Sequence, residues 1–221
     1  MVVLVGILNI TPDSFSDGGQ FLNPKEAVTH AKRLFKDDAG IVDIGAESTR
    51  PGATALSAAE EWQRLEPILQ ILLPLYPGKI SLDTYKPTII DRAFAIGPVI
   101  VNDITGLNNP QMVQAVVKNN AICIISHMQG KNIQKVHKTT PTKSMLDVKK
   151  TLLRKKSELV NLGHDHNKVI LDPGIGFGKS MELNRELLSF ASIAPNESVM
   201  IGYSRKRFLG ENRMDVEPNV E

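Results

Sequence analysis

Cysteine is nearly absent from this chain: Cys123 is the only one in 221 residues. A single thiol excludes an internal disulfide and suits a reducing compartment such as the cytoplasm. Cys123 lies in the apolar run Ala121-Ile122-Cys123-Ile124-Ile125, so a buried strand thiol is expected rather than a nucleophile. Charge of one sign is also scarce. The balance is 26 − 24 = +2, too small to argue for nucleic acid or an anionic membrane surface. The basic run Lys149, Lys150, Arg154, Lys155 and Lys156 has no interleaved aromatic residue to act as a stacking platform, and it is expected as a solvated helix face. No apolar run is long enough to span a membrane. The N-terminus lacks the basic region, long apolar core and small-residue cleavage site of a signal peptide. No Cys/His cluster has the spacing of a structural zinc site. His164 and His166 fall in a helix-to-strand loop and are expected at the surface; His30 and His137 take no role. His127 follows a strand end, where it can line a pocket as a structural or a catalytic group.

What is present is an ordinary globular composition, 42% hydrophobic and 23% charged, long enough for a sizeable core. One domain over residues 1–221 is expected. The organising stretch is near the start. An apolar run from Val2 to Leu8 reads as a fully buried strand and ends in Asn9, followed by the polar loop Ile10-Thr11-Pro12-Asp13-Ser14-Phe15-Ser16-Asp17-Gly18-Gly19. That loop carries too many polar groups to be core.

The design then repeats. Short apolar strands are expected at 41–45, 79–83, 99–103, 121–125, 168–172 and 198–202. Helices are expected between them. Asn23-Pro24 starts one, Ser57 with Glu60 forms a capping box, Lys86-Pro87 starts another, and further helices span about 110–118, 144–162 and from about Met181. Strands alternating with helices give a parallel sheet. Asn9, Asp83, Asn102, His127, Asp172 and Ser204 all fall at strand C-terminal ends, and Asp43 lies inside its strand. That is the face that carries active sites in (β/α)8 barrels and ligand crevices in open α/β sheets. Seven strands are counted where a barrel needs eight, so the expectation is an α/β TIM barrel whose last βα unit is missing from this chain.

Two tempting motifs fail. Asp172-Pro173-Gly174-Ile175-Gly176-Phe177-Gly178-Lys179-Ser180 has Pro173 where a phosphate-binding P-loop needs its first glycine. It also brings its third glycine one residue too early for a dinucleotide fingerprint. Lys206 is flanked by Arg205 and Arg207, which suits an anion or carbonyl binder better than a Schiff-base lysine in a dry site. Asp83, Asn102 and Asp172 offer acceptors from three strands. They suit a metal, or a flat heterocycle with a guanidine-like donor edge; the wide spacing and lack of a His partner favour the heterocycle.

Taken together, GILNITPDSFSDGG (6–19), DIGAESTRPG (43–52), SLDTYKP (81–87), Asn102-Asp103, HMQG (127–130), DPGIGFGK (172–179) and SRK (204–206) resemble the dihydropteroate synthase family, in the family's order and over residues 5 to about 210. The resemblance implies a (β/α)8 barrel. It implies a folate-pathway transferase that joins p-aminobenzoate to 6-hydroxymethyl-7,8-dihydropterin pyrophosphate with Mg2+, and that sulfonamides target. By resemblance, Asp83, Asn102, Asp172 and Lys206 bind the pterin, and Asn9 ligates Mg2+ and holds the pyrophosphate. Phe15 and Pro51 flank p-aminobenzoate, with Thr49, Arg50 and Asp17 completing those loops. Gly202 and Ser204 lie near the aminobenzoate, and Met128 and Phe177 wall the pterin pocket. Asp17, Asp83, Asp172 and Lys206 are the implied catalytic set. The family's last strand carries an Arg-x-His motif that this sequence does not contain. A C-terminally truncated chain is therefore expected, homodimeric when its C-terminus is complete. A parent chain fused to a hydroxymethyldihydropterin pyrophosphokinase is compatible with this. The other readings are a related pterin-binding methyltransferase domain, which has no use for the ESTRPG loop, and a catalytically inactive pterin-binding fragment.

Overall fold

The computed structural model describes residues 2–11, 23–47, 55–128 and 144–204. Its elements are β1 Val5–Asn9, α1 Pro24–Lys36, β2 Ile41–Gly45, α2 Ala58–Leu75, β3 Ile80–Asp83, α3 Pro87–Ile96, β4 Ile100–Asp103, α4 Pro110–Lys118, β5 Cys123–Ser126, α5 Met145–Asn161, β6 Val169–Asp172, α6 Met181–Glu186, α7 Phe190–Ile193 and β7 Ser198–Val199. The strands lie side by side in chain order from β1 to β7, and every pair is parallel. An open doubly wound sheet reverses its order at a switch point. This one never does, so it is the winding of a (β/α)8 barrel through its first seven strands.

Local chemistry sets the helix starts. Asn23, Asn109, Ser144 and Ser180 each accept a backbone N–H with their side chains, and Ser57 with Glu60 closes the expected capping box ahead of α2. Proline opens α1, α3 and α4, where its missing N–H costs nothing.

Alternation along each strand sorts the two faces of the sheet. Val42 and Ile44, Leu82, Val101, Cys123 and Ile125, and Val169 and Leu171 are buried in one cluster with Leu65, Ile68, Leu69 and Leu72 of α2, Ile89 and Ile90 of α3, Val116 of α4 and Leu152 of α5. The residues between them belong to the other face: Asp43, Ser81, Asp83, Ile100, Asn102, Ile124, Ser126 and Asp172. Ile100 and Ile124 are buried but stand outside that cluster, as an inner barrel face requires.

Four expectations are corrected. The run Val2–Leu8 is not fully buried: Val2, Leu4 and Ile7 are exposed, and only Leu8 is wholly covered. Among the described residues β1 pairs only with β2, and Ile7, in register with Asp43, lies on the inner face rather than against the helices. β7 covers two residues instead of five, although Met200 N–H still reaches Leu171 O at 3.0 Å. His164 is buried, because its N–H turns back to Leu159 O at 3.2 Å and brings the ring within 4.0 Å of the Cys123 sulfur. Burial, helped by Lys168, lowers its pKa. The basic run on α5 is not simply solvated. Lys149 donates to Ile193 O, Lys155 to Gly106 O and Asn108, and Lys156 pairs with a half-buried Glu197. Cys123 meets its expectation: it is fully buried, and burial pushes its thiol up to about 12.

Leu72 is wholly buried in the last turn of α2. Leu72→Ala should lower the unfolding free energy by about 2–5 kcal/mol, whereas Ser57→Ala, which loses a cap, should cost roughly 1 kcal/mol. Urea unfolding separates the two. Equal, small losses would mean that α2 is not the main cover of the sheet.

Candidate active site

The inner face becomes polar at one end, and strand register determines which residues meet there. Asn9, Gly45, Asp83 and Asn102 lie in one row across β1 to β4, and Ser126 pairs with Asp172 across β5 and β6. Asp43 lies two residues below Gly45 on β2, facing the same way. Gly45 leaves room: a Cβ there would stand 3.5 Å from Asp83 Oδ2 and 3.7 Å from Asn9 Oδ1, so those two side chains flank the same point.

One hydrogen bond fixes the middle of the face. Asn102 Nδ2 donates to Asp43 Oδ2 at 3.0 Å, with both residues more than nine-tenths buried. The carboxylate takes the amide's donor end, so Asn102 presents Oδ1 as an acceptor. Asn102 Oδ1 and Asp43 Oδ1 are buried without a hydrogen-bond partner. Such atoms cost on the order of 1–3 kcal/mol each unless a ligand meets them. Asp172 is better supplied: it accepts from Ser126 Oγ at 2.9 Å and from Gly174 N at 2.8 Å.

The acids act on one another. Burial raises the pKa of Asp43; Ser81 and Asn102 pull it back, and Asp172 adds to the rise. Asp83 is raised well above the carboxylate range, by burial first and then by Asp43, Asp103, Glu61 and Glu47. Among the described residues, the face therefore keeps acceptor oxygens on Asp43 and Asn102 that no hydrogen bond satisfies, next to carboxyls whose pKa is raised.

The loop after β6 explains the glycine-rich motif. Lys179 Nζ donates to His127 O at 2.9 Å, Gly174 O at 2.7 Å and Phe177 O at 3.2 Å, so its charge organises the loop's own carbonyls. This supports setting the P-loop reading aside. Gly174 has φ +65°, and a Cβ there would stand 2.1 Å from His127 O, a contact that only glycine avoids. His127 is buried, and burial with Lys179 pushes its imidazole down to about 4, leaving it neutral at physiological pH. Its own N–H bonds Asp172 O at 2.8 Å, so it joins β5 to β6 as a wall of the site.

Of the residues expected from sequence, Asn9, Asp83, Asn102 and Asp172 come to this face. Met128 is buried next to His127, and Phe177 is half-buried in the loop that Lys179 holds. Gly202 and Ser204 follow β7 at the same end, half-buried and exposed, and neither joins the hydrogen bonds above. Phe15, Asp17, Thr49, Arg50, Pro51 and Lys206 lie outside the described residues. Sequence reasoning missed Asp43 as a member of the network. An acid inside an otherwise apolar strand was the available signal. It also placed Asp103 beside Asn102 in one motif, whereas the Asp103 carboxylate serves the following turn, accepting from Thr105 N, Thr105 Oγ1 and Leu107 N. No group of three or more His, Cys, Asp or Glu side chains able to hold a metal occurs among the described residues.

Comparison with known proteins gives this geometry a context. Residues 5–220 match the family model described as pterin binding enzyme. The chain is 36% identical over 214 residues to the dihydropteroate synthase of Escherichia coli K12, covering 94% of this chain and 74% of that protein. A Yersinia pestis dihydropteroate synthase solved as a sulfonamide drug complex superposes with a TM-score of 0.85 at 35% identity, over 95% of this chain and 77% of that one. A Xanthomonas albilineans dihydropteroate synthase solved with 4-aminobenzoic acid gives 0.84 at 36% identity, over 95% and 75%.

The crowding of acids predicts a stability effect. A carboxyl whose pKa rises on folding contributes fully below its unfolded value, near 3.9, and that contribution is lost as pH rises through the folded value. Asp83→Asn should therefore melt at a higher temperature than the parent at pH 7.5, and the advantage should shrink as the pH falls toward 4. A variant less stable than the parent at pH 7.5 would show that the Asp83 charge is well accommodated.

Proposed function

This chain belongs to the pterin-binding enzyme family, and from that premise we infer that it acts as a dihydropteroate synthase, joining p-aminobenzoate to 6-hydroxymethyl-7,8-dihydropterin pyrophosphate. One observation carries the reading from the chain's own residues. Two buried acceptor oxygens, on Asp43 and Asn102, have no partner beside the carboxylates of Asp83 and Asp172. A pterin edge carries ring and exocyclic N–H donors and no competing negative charge, so it supplies what this face lacks.

In this reading Asp83, Asn102, Asp172 and Lys206 hold the pterin, with Met128 and Phe177 against its faces. Phe15, Pro51, Thr49, Arg50 and Asp17 contact the aminobenzoate, with Gly202 and Ser204 near it. Asn9 faces the pyrophosphate. Asn9 is exposed at the end of β1, with its amide oxygen near Asp83, and this fits Mg2+, which binds through one or two protein oxygens and keeps water and phosphate as its other ligands. When bound, Mg2+ supplies positive charge to the leaving pyrophosphate. In the reaction the C–O bond at the pterin methylene breaks and its electron pair leaves with pyrophosphate. The aminobenzoate nitrogen forms the new C–N bond and gives up one proton. Positive charge that develops on the pterin faces Asp83 and Asp172, which stabilise it from fixed positions. No protein nucleophile is required. A homodimer and a cytoplasmic location complete the reading; the coarser finding beneath the latter is that no helix among the described residues is long and apolar enough to cross a membrane.

The test is pyrophosphate release from the dihydropterin pyrophosphate with Mg2+, with and without p-aminobenzoate. Release that depends on p-aminobenzoate and is competed by a sulfonamide is the expected result. Release that ignores p-aminobenzoate would overturn the assignment.

A further inference from the structure

A second charged cluster stands beside the acceptor face, and no step above uses it. It is built on Glu47, the residue before the stretch Ser48-Thr49-Arg50-Pro51. The Glu47 carboxylate accepts from Leu56 N–H at 3.1 Å, from the Tyr85 hydroxyl at 2.6 Å and from the Lys86 ammonium. Lys86 also bonds Glu61, whose side chain is 1% exposed, and stands 4.6 Å from the Tyr85 ring centroid. Arg64 of α2 braces the preceding residue, donating to Ala46 O at 3.0 Å. The side chains of Lys86 and Glu47 are each only 13% exposed.

A lysine is poorly placed here for helix stability alone. Lys86 occupies the N-cap of α3, where the helix dipole is positive, and it makes no capping bond. Burial alone lowers its pKa, and the bonds from Glu47 and Glu61 more than reverse that, so it stays charged. Tyr85 is pushed up to about 12 by burial and by Glu47, so it stays a donor. Buried pairs of this kind contribute little net stability, so stability alone does not account for the cluster.

The connectivity shows what is held. Glu47 and Leu56 stand on either side of residues 48–54, and their hydrogen bond closes the neck of that stretch. Tyr85 and Lys86 fasten the neck to the turn after β3, two and three residues beyond Asp83, and Glu61 ties the same lysine to α2. We propose that Glu47, Tyr85, Lys86 and Glu61 are positioning residues, which mount the aminobenzoate-contacting stretch on the turn that carries the pterin acceptor Asp83 and so set the spacing between the two substrates. The proposal rests on the functional reading above. None of the four contacts substrate in it; they act through Thr49, Arg50 and Pro51.

The test compares Glu47→Gln, Lys86→Met, Lys86→Arg and Tyr85→Phe with the parent chain in aminobenzoate-dependent pyrophosphate release, with the KM of each substrate measured separately. Glu47→Gln and Lys86→Met should raise the KM for p-aminobenzoate by on the order of tenfold while the KM for the pterin pyrophosphate moves less than about twofold. Tyr85→Phe should give a smaller rise in the same KM alone, and Lys86→Arg should recover most of the Lys86→Met loss. Equal rises in both KM values, or a fall in kcat alone, overturn the proposal, because a merely structural cluster would produce them. If thermal melts show that Glu47→Gln or Lys86→Met does not fold, Tyr85→Phe and Lys86→Arg decide, and an unsplit Tyr85→Phe overturns it. A parent chain that turns over while its variants fail to split the two KM values refutes this proposal alone. A parent chain without aminobenzoate-dependent release refutes the functional reading and this proposal together.

Discussion

Carboxylates crowded onto one largely covered face govern this structure. Asp43, Asp83 and Asp172 share one inner face; Asp172 adds to the rise of the Asp43 pKa, and Asp43 to that of Asp83. In a parallel sheet wound in chain order, every strand ends on the same side, so polar groups placed at strand ends are forced together. The fold tolerates the crowding because stability is supplied elsewhere. Val42, Ile44, Leu82, Val101 and Leu171 point away from the acids into a cluster closed by α2, α3, α4 and α5. Strand alternation thus separates the apolar cover from the costly polar face, and either can be adjusted without repacking the other.

The lysines follow from the same constraint. Among the described residues, three lysines near this end serve loop and helix groups. Lys179 is turned onto three carbonyls of its own neighbourhood, Lys155 onto the turn after β4, and Lys86 onto Glu47 and Glu61. In each case a positive charge shapes a loop at the rim while the inner acceptors keep their capacity. Asp172 is oriented from two sides, accepting from Ser126 Oγ and from Gly174 N. Gly174 belongs to this arrangement, since its positive φ and the close approach of His127 O bring its N–H to Asp172.

Much of this could be read from the residues. The strand ends of β2 to β4 and β6, the caps at Asn23 and Ser57, and the convergence of Asn9, Asp83, Asn102 and Asp172 follow from local periodicity and capping chemistry, which need only neighbouring residues. The misses were tertiary. An apolar β1 looked fully buried because burial was inferred from composition, whereas its exposure depends on how many strands flank it. His164 looked like a surface residue because a polar loop surrounds it, and only the return of its N–H to Leu159 puts it under β5. The partners of Lys86 are 39 and 25 residues away along the chain, beyond any spacing rule. Asp43 was visible as an odd acid in a strand, but its meaning needed Asn102, 59 residues on.

Three buried or half-buried side chains of types that often carry covalent or acid–base chemistry are set out of range. Cys123 is buried with its thiol pushed up to about 12, Tyr85 is likewise pushed up to about 12, and His127 is held down to about 4. None of these three is poised to exchange a proton near neutral pH. Among the described acids, burial raises Asp43, Asp83 and Asp103, and like charge adds to the rise at Asp43 and Asp83. A carboxylate in that position gains most from a positive charge arriving beside it, because the arriving charge offsets the burial and the repulsion that raised its pKa. A reaction whose transition state develops positive charge on a ring held against this face therefore uses the crowding directly. Acids that oppose one another in the ground state would then act together on one cation in the transition state.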